Sequence, residues 1–196
     1  MNLSGNTVKQ CLRIMLFLVA LFLSQSPVHA QTRADSISTT WAKYIFHNDQ
    51  NEVLLVYDTY YKAWELPGCG YEGPISLNNL MDSLAYHYGI TYDSMKLGGI
   101  FTYTNPGRYR TSIKPYFAVH FSGYINGNSF RNPKRMKWVG IEEAMKTIPY
   151  PTMKLILGQL TKSPRAVWGG AFEEYGYMPP DTLTWKVVEP FYLLNQ

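Results

Sequence analysis

The sequence predicts an α/β domain, a mixed sheet flanked by helices. Three observations predict it. Two apolar strands meet at an Asn/Asp turn near residue 50. A strand, a glycine loop and an amphipathic helix follow one another between Trp64 and Ile90. Two long strands over 96–124 are followed by short helical stretches that end at Lys162. Strand and helix periods alternating along one chain mark a layered α/β domain. Composition agrees: 196 residues, 46% hydrophobic and 16% charged, suit one globular domain with a sizeable core rather than a disordered chain. The 16 tyrosines favour strands, because aromatic rings pack well on a pleated surface.

Residues 1–30 read as a signal peptide. Lys9 and Arg13 give a positive start, and Ile14 to Leu23 is an apolar run. Val28-His29-Ala30 places suitable residues before a cleavage at Gln31. The run is shorter than the roughly 20 residues a membrane span needs. Export, to a periplasm or beyond, is therefore expected, with membrane contact only through this segment before cleavage. An uncleaved anchor is the alternative. Loss of Lys9 and Arg13 leaves 16 basic against 14 acidic residues, so the basic balance of the whole chain gives no reason to expect a nucleic-acid partner. Cys11 leaves with the segment, and Cys69 alone cannot form an internal disulfide.

Residues 31–42 form a lead-in, expected to be flexible. Lys43–His47 and Glu52–Asp58 read as strands of a hairpin across Asn48-Asp49-Gln50-Asn51, residues that tolerate tight turns. Lys62 to Leu66 is a short strand. Ser76 is a helix N-cap, Leu77, Leu80, Met81, Leu84 and Tyr88 recur at helical spacing, and Gly89 stands where a C-cap glycine belongs. Lys96–Thr104 and Ile113–Tyr124 are long strands joined by a turn carrying Arg108 and Arg110. A second basic loop, Asn126 to Arg135, precedes a strand at Met136–Val139. Ile141–Ile148 and Thr152–Lys162 are helices, the latter with Pro151 at its start. Residues 43–162 make the domain. The tail 163–196 is read as an extension packed on it, too short for a core of its own.

The segment Trp64-Glu65-Leu66-Pro67-Gly68, then Glu72, then Leu84 and Gly89-Ile90, resembles the signature of the Nudix hydrolases, G-x5-E-x7-R-E-U-x-E-E-x-G-U with U aliphatic. The resemblance covers about Tyr44 to Lys162 and implies a Nudix-like sandwich. In that family the helix carboxylates hold divalent cations against a diphosphate, neutralising its charge and helping to activate water. Here the resemblance keeps the frame and departs in the chemistry. Aligned from Gly89, the R-E pair is Asp82-Ser83 and the E-E pair is Tyr86-His87. No alignment of the loop puts an acid at its glutamate position. The residues that the resemblance offers are Glu72 as a catalytic or metal-binding acid and Asp82 as a metal ligand.

These departures imply a degenerate protein that binds a ligand or partner, an unknown small molecule or an envelope protein, with no cofactor. The rival is a divergent diphosphate hydrolase using Mg²⁺ or Mn²⁺, with Glu142 and Glu143 as alternative acids. Arg108, Arg110 and Lys114 would contact a bound ligand if their turn borders a cleft, and the ordinary reading is a solvated hairpin tip. Tyr57, Tyr60 and Tyr61 could stack on a base or a sugar ring, though such residues more often pack in strands and turns. Cys69 would need a nearby base and a lowered pKa to be a nucleophile.

Overall fold

A computed structural model describes residues 39–71, 74–105, 110–121, 135–176 and 182–195. The segment read as a signal peptide, Glu72, Arg108 and most of the second basic loop lie outside the described residues. The strands are β1 (Thr39–His47), β2 (Glu52–Asp58), β3 (Ala63–Glu65), β4 (Gly68–Gly70), β5 (Tyr92–Asn105), β6 (Arg110–Phe121), β7 (Met136–Gly140), β8 (Trp168–Tyr175) and β9 (Thr184–Leu193). The helices are α1 (Leu77–Tyr88), α2 (Ile141–Thr147) and α3 (Pro151–Lys162).

All nine of these strands join one sheet in the order β3-β2-β1-β6-β5-β8-β9, with β4 added to β1 and β7 added to β2. The sheet is mixed: β1–β6 and β5–β8 are parallel, and the other pairs are antiparallel. The expected β1–β2 hairpin forms. The Asn48 side-chain oxygen accepts from the backbone N–H of Gln50 at 3.0 Å and of Glu52 at 2.9 Å, and Asn51 takes the left-handed φ of 58° that closes the turn.

The central strands are buried on both sides, which is why β2 reads as the unbroken apolar run Val53-Leu54-Leu55-Val56. Alternate residues feed two cores. Ile45, Val53, Leu55 and Tyr116 pack with Ala144 of α2 and with Met153, Ile156, Leu157 and Leu160 of α3. Tyr44, Phe46, Leu54 and Val56 pack with Leu80, Met81, Leu84 and Tyr88 of α1 on the opposite face. The α1 ends are those expected: Ser76 Oγ accepts from Asn79 N–H at 3.2 Å, and Gly89 takes φ 65°, its N–H reaching the last carbonyls.

Two differences from the sequence reading have one cause. β1 begins at Thr39 rather than Lys43, and β5 at Tyr92 rather than Lys96. In both cases a neighbouring strand pairs the polar residues (Thr39 with Ser112, Tyr92 with Phe121), and such long-range pairing leaves no local periodicity. The tail contributes β8 and β9, for which no strands were assigned. β8 lies between β5 and β9, with Phe172 buried in the core of α2 and α3.

Candidate ligand cleft

Strand alternation brings charged residues to the α3 face of the sheet. On β1, Trp41 and Lys43 share the parity of the core residue Ile45. On β6, Ser112 and Lys114 share that of Tyr116. These residues, with Glu65 of β3, Tyr103 of β5, Glu174 of β8 and the Tyr150–Met153 stretch at the start of α3, line a cleft of about 250 Å³. Tyr61 and Asp58, from the β2–β3 turn, complete its wall.

Lys43 is 4% exposed, and its ammonium donates to Glu65 Oε2 at 2.8 Å and to the Leu66 carbonyl at 3.2 Å. A buried charge needs such a partner, because desolvation alone would be costly. Lys114 Nζ stands 3.7 Å from the centroid of the Tyr103 ring, a cation–π contact. Burial pushes the Lys114 ammonium down to about 8; Lys43 adds to the effect, while Glu174 and Glu65 oppose it. Glu174 is 4% exposed and accepts from Thr152 Oγ1 at 2.5 Å. The Tyr103 and Tyr116 hydroxyls meet at 3.3 Å. Burial, followed by the charge of Glu174, pushes the Tyr103 phenol far up, so it stays neutral. Asp58 is engaged in its own turn, its Oδ1 accepting from the N–H groups of Tyr60 at 2.7 Å and Tyr61 at 3.0 Å.

Of the residues singled out in the sequence, Lys114 and Tyr61 line this cleft. Tyr57 does not; it packs edge-on against Trp64, ring centroids 5.4 Å apart. Arg110 opens β6 opposite Asn105. Asp82 is exposed on α1, where Oδ1 accepts from the Tyr92 hydroxyl at 2.7 Å. Tyr86 is exposed, His87 half-buried, and Glu142 and Glu143 are exposed in the first turn of α2. Cys69 is half-buried on β4 opposite Ala42, and burial pushes its thiol up, away from a nucleophile's range.

Among the described residues no group of three or more His, Cys, Asp or Glu side chains is placed to hold a metal ion. A hard dication takes several oxygen ligands. At the described signature positions of α1, Asp82 is the one carboxylate, tied to Tyr92, beside Tyr86 and His87. This donor set does not fit Mg²⁺.

The cleft residues other than Lys114 and Tyr61 were missed in the sequence. Lys43 gave a readable signal, a lysine on the buried parity of an apolar strand. Glu174 gave none, because its segment was not recognised as a strand.

A mixed sheet with α1 on one face and α2 and α3 on the other defines the α/β sandwich of the Nudix proteins. No protein-family model matches the chain, and no curated protein matches it. Solved structures do. A Mutator MutT protein from Bacillus halodurans superposes with a TM-score of 0.61 at 20% identity, over 78% of this chain and 99% of that one. A NUDIX hydrolase from Nitrosomonas europaea superposes with a TM-score of 0.53 at 14% identity, over 64% and 89%. A MutT protein from Methanosarcina mazei gives 0.50 at 14% identity, over 65% and 96%. The fold of this chain is thus the Nudix fold, as the Trp64–Ile90 segment implied. Identities this low carry the fold alone.

Proposed function

We propose that this chain is an exported binding module of Nudix fold, without a hydrolytic metal centre, that holds a small molecule in the cleft of Lys43, Glu65 and Lys114. One observation carries the reading. The buried charges of the described residues, Lys43 and Glu174, converge in a cleft on the α3 face, whereas α1, on the other face, offers Ser83, Tyr86 and His87 where a hydrolase of this fold would carry glutamates. Concave sites with a few convergent polar groups are where ligands bind. Export rests on the charged start, the apolar run and the Val28-His29-Ala30 boundary.

The test is calorimetric titration of the purified protein with Mg²⁺ and Mn²⁺, together with an assay of diphosphate compounds. No metal binding and no turnover are expected. Mg²⁺-dependent hydrolysis that disappears in Glu72→Gln or Asp82→Asn would replace this reading with that of a divergent diphosphate hydrolase.

A further inference from the structure

We propose that the ligand of the cleft is a neutral polyhydroxylated ring, a single pyranose unit, rather than a phosphorylated compound. This class rests on the cleft being the binding site proposed above.

Size comes first. Pockets for drug-sized ligands run from roughly 300 to 1,000 Å³. At about 250 Å³ this one is on the scale of a single ring.

Charge comes second. Among the described residues the lining carries two ammonium groups, Lys43 and Lys114, against three carboxylates, Asp58, Glu65 and Glu174. Lys43 is already neutralised by Glu65 at 2.8 Å. A multiply charged phosphate would meet Lys114, already seated over the Tyr103 ring, and two further carboxylates in a partly enclosed cleft, where like charges repel. A ligand without charge meets no such penalty.

Shape and donor chemistry come third. Trp41 and Tyr61, 42% and 41% exposed, offer aromatic surface to the cleft. The C–H faces of a pyranose carry partial positive charge, which suits the negative face of an aromatic ring. Its hydroxyls both donate and accept. They match a lining in which carboxylates accept, the Lys114 ammonium donates and the Ser112 hydroxyl does both.

The experiment is calorimetric titration of the purified protein with glucose, galactose, mannose and N-acetylglucosamine, with their disaccharides, and with inorganic pyrophosphate. Saturable binding of at least one pyranose is expected, weakened at least tenfold in Trp41→Ala and in Tyr61→Ala, both folded by circular dichroism. Equal affinity for the free sugar and its disaccharide means a terminal glycan ring; loss of binding with the disaccharide means a free monosaccharide. Pyrophosphate binding that is lost in Lys114→Met, with every pyranose silent, overturns the ligand class and leaves the cleft as the binding site. Silence of all probes overturns the class as well. Metal-dependent turnover of a diphosphate overturns the underlying function instead.

Discussion

Lys43 and Glu65, 22 residues apart in the chain, form an ion pair 2.8 Å long inside the fold, with 5% and 15% of their side chains exposed. β1 supplies the lysine and the strand entering the glycine loop supplies the glutamate. The pair therefore ties the Trp64–Gly68 segment to the centre of the sheet. Removing one partner leaves the other charge buried, at a cost of about 3–5 kcal/mol. Lys43→Met is expected to destabilise by about that much in urea unfolding. The double variant Lys43→Met/Glu65→Leu should recover most of the loss. Additive losses would show that the two charges do not depend on each other.

Lys114 is expected to react with amine-modifying reagents with a midpoint near pH 8, well below the ordinary lysine value. Because the folded value lies below the ordinary one, protonation opposes folding. Stability should rise as pH climbs from about 8 towards the ordinary lysine value, and Lys114→Met should flatten that rise. Thermal unfolding across this range checks the sign.

His120 bridges two carboxylates, Nδ1 lying 3.1 Å from Asp93 and Nε2 3.0 Å from Asp49. These hydrogen bonds raise its pKa above 6.5. Neighbouring His47, ring centroids 5.2 Å away, is pushed below 6.5 by burial and then by His120. The contribution of His120 is thus fully present below 6.5 and is lost as pH rises through its raised folded value. Proton NMR titration should separate the two histidines in that order, and Asp93→Asn should bring the His120 midpoint down. Coincident midpoints would contradict the bridging geometry.

Two glycines should respond oppositely to alanine. A Cβ on Gly68 would stand 2.6 Å from the Ala42 carbonyl oxygen and 2.7 Å from Lys43 Cδ, so β1 would have to shift. Gly68→Ala is expected to destabilise by about 1–3 kcal/mol, as overpacking does. Gly158 lies inside α3, and a Cβ there meets only Met145 Cε at 3.5 Å, an ordinary contact. Gly158→Ala should stabilise by roughly 0.5–1 kcal/mol through helix propensity. Chemical denaturation of both variants decides this.

The sequence by itself determined what is local. The Asn48 turn, the Ser76 and Gly89 caps, the period of α1 and the apolar run of β2 are each specified by neighbours a few residues away, and each stands where its residues put it. The Trp64–Ile90 frame likewise carried the fold. Only the tertiary structure decided the cleft. Lys43, Glu65, Lys114 and Glu174 come from four strands, and β8 entered the sheet through pairing with β5 and β9 rather than through any pattern of its own. A period of two says which residues share a face; which strands lie side by side is set by hydrogen bonds between distant segments, and those bonds placed the charges together.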